Sequence, residues 1–257
     1  MDSYARHLIT HAGHPIAGPL TEAALADVLD AALAHRPDAG RLLDLGCGQA
    51  VWPLRALTAR PGARAVGVDV NGAALAWAAE EAARLGVADR LELREASATG
   101  LTWDEPFDAV LCVGATHAFG GLLPTLAAAR APLAPGGCVV VGEGFWERDP
   151  DPAALAALEA AREDYGDLAT TVERVVAAGW EPVYGHVSTP GEWDDYEWRW
   201  TGNLARWALD HPDHPDAAAA AETAAAHRAG WLRGYRGVLG FVTLVLRATC
   251  PPVRTGG

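Results

Sequence analysis

Residues 42–50, LLDLGCGQA, place an apolar run directly before two glycines one residue apart. Residues 41–45 read as a short buried strand, and residues 50–58 as a helix whose first turn tolerates Pro53. A strand, a tight glycine turn and a helix N-terminus together present backbone N–H groups to an anionic ligand. The rest of the chain has to say which ligand.

Outward from this stretch, strand and helix patterns alternate. Residues 63–70, ARAVGVDV, read as a strand, followed by an alanine-rich helix over 71–85 that ends at Gly86. Short strands follow at 91–94 and 107–113, then a helix near 121–130. APGG at 134–137 reads as a turn leading into a β-rich run at 138–141. This alternation predicts an α/β fold with a parallel sheet and helices on both faces.

Past Asp151 the texture changes. Residues 152–165 and 168–178 read as helices, and 181–188 and 240–248 as strands. Between those strands lies an insertion containing Trp193, Trp198, Trp200, Trp207 and Trp231. It reads as two helices divided by the turn-like DHPDHPD at 210–216.

Composition narrows the function. A formal charge of −13 over 257 residues opposes a nucleic-acid or anionic-membrane partner, since both require a basic face. Cys47, Cys112, Cys138 and Cys250 form no C-x-x-C pair, and three of them sit in apolar strand-like contexts. The N-terminus lacks a signal-peptide h-region, and the late apolar run at 237–246 is too short to span a bilayer. A soluble cytoplasmic protein acting on a small molecule is expected.

Two ligand classes use such a glycine turn, the dinucleotides and S-adenosylmethionine. A dinucleotide fingerprint reads G-x-G-x-x-G, and here its third glycine is replaced by Val51, whose branching obstructs close strand–helix approach. Asp44, two places before the first glycine, is badly placed for a pyrophosphate and well placed for a cationic amino-acid end. Asp69, with Val70 after it, ends the next strand, where a carboxylate accepts hydrogen bonds from ribose hydroxyls. Glu95, Ala96 and Ser97 follow the third strand, where an acid beside a small residue can recognise an adenine edge.

In this combination and order, LLDLGCGQA, AVGVDV, REAS, FDAVLCVGA and LAPGGCVVVGEGFW resemble the class I S-adenosylmethionine-dependent methyltransferases. The resemblance covers residues 18–184 and the final strand. It is similar to a bacterial branch with an HPIAGPLTE-type N-terminal segment. It implies a doubly wound, Rossmann-like seven-stranded sheet of order 3-2-1-4-5-7-6, with strand 7 antiparallel and a helical cap. The implied organisation is an N-terminal cap over 1–40, a core over 41–189 and 238–250, and a lid-like insertion over 190–237. Gly46 and Gly48 would then lie under the methionine end, Asp69 would bind ribose, and Glu95 and Ala96 would flank adenine. Val113 and Gly114 would border the methionyl group. Ala50 departs from the family, which most often has a third glycine there.

Methyl transfer from an activated sulfonium mainly requires alignment, and a base only if the nucleophile must lose a proton. His117, after the fourth strand, is the leading candidate base, or a pocket-shaping imidazole. Glu143, at the end of the fifth, is either a base, an electrostatic partner of the sulfonium, or a structural acid. Phe145 and Trp146 either wall the acceptor site or pack. Trp193, Tyr196 and Trp200 share one helix face. They form either a lid around an apolar or cationic acceptor or a core stripe, with Glu192, Asp194, Asp195 and Glu197 solvated. Neither His7, His11 and His14, nor His211 and His214, makes a complete metal-ligand set, so no metal is expected. Two rivals remain: a nicotinamide-dependent oxidoreductase, disfavoured by Val51 and Asp44, and a cofactor-binding partner protein without turnover.

Overall fold

A computed structural model describes residues 1, 3–14 and 16–249. Pro15 and Cys250 lie outside the described residues. A seven-stranded sheet runs β3-β2-β1-β4-β5-β7-β6, with β7 antiparallel. Its strands are β1 (Ala39–Leu45), β2 (Gly62–Asp69), β3 (Leu91–Glu95), β4 (Phe107–Val113), β5 (Leu133–Trp146), β6 (Trp180–Val187) and β7 (Leu239–Ala248). The parallel register pairs Asp44 with both Gly67 and Leu111, and Asp69 with Glu95. Leu42, Leu43, Val68, Val110, Leu111, Val139 and Val140 are sealed from solvent, as strands covered on both faces require.

The helices are α1 (Ser3–Thr10), α2 (Glu22–Ala32), α3 (Val51–Ala59), α4 (Gly72–Arg84), α5 (Leu122–Arg130), α6 (Pro152–Leu158), α7 (Leu168–Ala177), α8 (Pro190–Asp210) and α9 (Ala217–Gly230). Asn71 caps α4 by accepting from the Ala74 N–H. Thr189 and Glu192 form a reciprocal capping box at the start of α8, with Pro190 in the first turn. A π-turn over Trp231–Tyr235 continues from α9.

Two local expectations change. APGG is no turn between elements but an irregularity within β5. Leu133 pairs with Phe107 and Cys138 with Ala109, so the extra residues bulge out at Gly136, whose φ is +78°. The helix read over 152–165 stops at Leu158, because Glu159 is left-handed (φ 50°), and only a 3-10 turn follows at Arg162–Asp164.

The chain divides into two units. Among the described residues, one comprises those within 1–22, 144–168 and 187–241, and the other those within 23–143, 169–186 and 242–249. They are called the cap unit and the sheet unit below. Among the described residues no helix is long and apolar enough to cross a membrane.

Candidate functional site

In the sheet unit, the glycine turn leaves β1 at Leu45 and enters α3 at Val51. Gly46 has φ +78°, and a Cβ there would collide with that of Ala115, so the turn admits no side chain at this point. The sequence suggested open backbone N–H groups here, but those of Gly46, Cys47 and Gly48 are engaged. Those of Gly46 and Cys47 donate to the Val68 carbonyl at 2.9 and 3.0 Å. That of Gly48 donates to Asp69 Oδ2 at 2.7 Å. The other Asp69 oxygen accepts from the Asn71 N–H at 2.8 Å. The turn is thus stapled to the end of β2 and offers a pyrophosphate little.

The charge at the turn is negative. Asp44 is 2% exposed, and its Oδ2 is buried without a hydrogen-bond partner. Burial, with the Asp69 charge adding to it, pushes its carboxyl up to about 8. Burial also pushes up the Cys112 thiol, and the charges of Asp44 and Glu143 act in the same direction. An orphaned buried carboxyl beside a second carboxylate fits a cationic group and repels phosphate.

The other expected positions lie at or just past the ends of β2, β3 and β4. The Ala96 N–H donates to the Asp69 carbonyl at 3.0 Å, which ties the end of β3 to that of β2. Glu95 is exposed, and its carboxylate lies over Gly72, where a Cβ would meet it. Ser97 shares a 2.8 Å hydrogen bond with Thr99, and Val70 is exposed. Val113 pairs with Gly142 across β4 and β5, which sets Glu143 next to that pair in sequence, and exposed Gly114 follows Val113. His117 is exposed on a 3-10 turn at Thr116–Phe119. Ala50, the departure from the family glycine, is fully buried and left-handed at φ 52°.

In the cap unit, the five expected acceptor aromatics make different contacts, with Trp193 and Tyr196 meeting edge-on at 6.2 Å and Trp193 packing against the cluster that contains Trp146. Phe145 is buried and occupies the space that a side chain at Gly240 would need. Trp146 donates its indole N–H to the Arg162 carbonyl at 2.9 Å and packs edge-on to Tyr165. Tyr196 holds His11 Nε2 at 3.2 Å. Trp200 stacks on His227 at 3.9 Å. Trp193 instead walls a cavity of about 360 Å³.

Glu197, expected to be solvated if the aromatics pack, is 2% exposed. It accepts from the Tyr235 hydroxyl at 2.6 Å and pairs with His227 Nε2 at 2.8 Å. Its spacing with Thr201, Leu204 and Ala208 marks the buried stripe of α8. The aromatics read as one face flank that stripe. The i, i+4, i+7, i+11 pattern was present in the sequence, but a glutamate heading it reads as surface. Among the described residues, no three His, Cys, Asp or Glu side chains are grouped to hold a metal ion.

Residues 42–137 match a family model described as a methyltransferase domain. The chain is 30% identical over 207 residues to YjhP of Escherichia coli K12, covering 80% of this chain and 82% of that protein. It is also similar to two S-adenosylmethionine-dependent methyltransferases solved with S-adenosylhomocysteine. The one from Geobacter sulfurreducens has a TM-score of 0.88 at 26% identity, over 95% of this chain and 98% of its own. The one from Thiobacillus denitrificans has 0.87 at 27%, over 96% and 100%.

Proposed function

The chain belongs to the class I S-adenosylmethionine-dependent methyltransferases, and from that premise we propose that it methylates a small-molecule acceptor without a metal ion. The observation that carries the cofactor assignment is the buried, unpartnered Asp44 Oδ2 beside Asp69, under a turn whose Gly46, Cys47 and Gly48 N–H groups are already engaged. A cationic ligand end relieves that arrangement, and a pyrophosphate aggravates it. Gly46 and Gly48 lie under the methionine end. Asp69 keeps a lone pair on each oxygen for the ribose hydroxyls after binding Gly48 and Asn71. Glu95, Ala96 and Ser97 flank the adenine, with Val70, Val113 and Gly114 bordering the rest.

When bound, the cofactor supplies a methyl group already activated on a sulfonium sulfur. The protein's part is to hold the acceptor in line, which alone is worth up to roughly 7–11 kcal/mol. Where the acceptor must lose a proton, exposed His117 is the first base to test. Glu143, whose charge also acts on Cys112, either takes the proton or stabilises positive charge. The acidic charge of −13 favours a small acceptor over nucleic acid. The free, buried Cys47, Cys112 and Cys138 suit the reducing cytoplasm.

Calorimetric titration with S-adenosylhomocysteine and, separately, NADH tests the cofactor assignment. Binding of the homocysteine derivative alone supports it; binding of NADH alone ends it. Labelled cofactor offered with a metabolite set, with and without chelator, tests the acceptor class. Product that disappears on chelation would overturn metal independence.

A further inference from the structure

The cap unit contains a cavity of about 360 Å³ that none of the cofactor chemistry uses. Trp193, Trp231, Tyr235 and Leu239 form its apolar walls, two of them from the π-turn. A cavity of this size admits a bicyclic ring system. The same cavity is lined by Ser188 and Arg148.

Two of its polar groups lack a hydrogen-bond partner, and a third has donors to spare. Trp193 Nε1 and Ser188 Oγ are both buried with no hydrogen-bond partner, and Ser188 is only 3% exposed. An indole N–H can only donate, so whatever satisfies it must accept. Arg148 donates from Nε to the Gly237 carbonyl at 2.7 Å, and no carboxylate pairs with it among the described residues. Its terminal nitrogens stay available. On the acidic side, Asp194 is taken by Arg236 through two bonds, at 2.8 and 2.7 Å. Glu147 is exposed to solvent.

Buried donors left unpaired in the wall of a cavity cost free energy that a ligand acceptor recovers. We propose that this cavity binds a planar aromatic carboxylate, its ring between Trp193, Trp231 and Tyr235 and its oxygens on Trp193, Ser188 and Arg148. The proposal stands on the cap unit alone and does not depend on the cofactor assignment.

The test is calorimetry on the full chain with 2-naphthoate and with 2-naphthylmethylammonium, which keeps the ring and reverses the charge. The naphthoate is expected to bind one-to-one and at least about tenfold more tightly than the cation. Arg148→Gln and Trp193→Phe should each weaken it by roughly tenfold, with affinity for S-adenosylhomocysteine unchanged. Arg148 is exposed, so its variant decides the matter if the tryptophan variant does not fold. No binding of naphthoate, equal binding of the two probes, or indifference to Arg148→Gln overturns the proposal. Failure of S-adenosylhomocysteine to bind the wild type would instead count against the methyltransferase site and leave this one standing.

Discussion

The Asp69 carboxylate accepts the Gly48 N–H at 2.7 Å, so the residue assigned to the ribose also closes the glycine turn. A second bond, from the Asn71 N–H at 2.8 Å, holds the carboxylate against the start of α4. Asp69→Ala therefore removes a ligand contact and its scaffold together. Affinity for S-adenosylhomocysteine should fall by about 1.5–3 kcal/mol, the scale of a charge-assisted hydrogen bond, with a lower Tm. An unchanged dissociation constant would place the ribose elsewhere.

Asp44 predicts a proton coupled to binding. Its carboxyl rests near 8 in the folded protein, so at pH 7 it is mostly protonated. A cationic ligand end favours the ionised form and should release close to one proton per molecule bound, about one at most. Calorimetry of S-adenosylhomocysteine binding in buffers of different ionisation enthalpy counts that proton. Asp44→Asn should abolish the release and weaken binding.

The same group tilts stability against pH. Between 3.8 and about 8 the unfolded chain gives up the Asp44 proton and the folded one keeps it. Stability from this group thus declines as pH rises through that window. His11 tilts it the other way: burial first, then the His7 charge, lowers it from 6.5 to about 4. Its contribution is present above 6.5 and lost as pH falls toward 4, on the order of 3 kcal/mol at most. Urea melts of Asp44→Asn and His11→Gln across pH 4–8 should flatten opposite limbs of the wild-type curve.

Ala50 combines a left-handed backbone with complete burial against Cys47, Leu75 and Ala78. Glycine there relieves roughly 1 kcal/mol of backbone strain and forfeits about as much methyl packing. Ala50→Gly should accordingly shift stability by less than about 1 kcal/mol. Ala50→Val, branched at a positive φ with no room, should cost several times more, roughly 3 kcal/mol or above. Thermal melts of the pair give the comparison.

Glu197 is the polar keystone of the cap unit. Glu197→Ala removes the acceptor of the Tyr235 hydroxyl, leaving it only His227 Nε2 at 3.1 Å, and should cost about 1–3 kcal/mol. Glu197→Gln, which can still accept from Tyr235, should cost less. Equal melting points for both variants would show that the three groups do not act as a unit.

Much of this molecule is legible in its residues. The α/β alternation from Ala39 to Val141 follows from local periodicity, because buried parallel strands are continuous apolar runs and α4 carries its own cap at Asn71 and stop at Gly86. The ligand expectation at the turn was also local, resting on Val51 in place of a third glycine and on the acid Asp44 before the first. What local pattern does not reach is the partner of each polar group. Nothing near Gly48 in sequence says that its N–H goes to a carboxylate twenty-one residues away. Nothing near Glu197 says that His227 and Tyr235, from a later helix and its π-turn, will enclose it. Likewise Trp193 reads the same as Tyr196 and Trp200 along the helix, yet only packing of α8, the π-turn and the start of β7 makes it a cavity wall. Periodicity reports which face turns inward; only chain closure decides what waits there, because satisfying a buried donor or acceptor is a property of two segments at once.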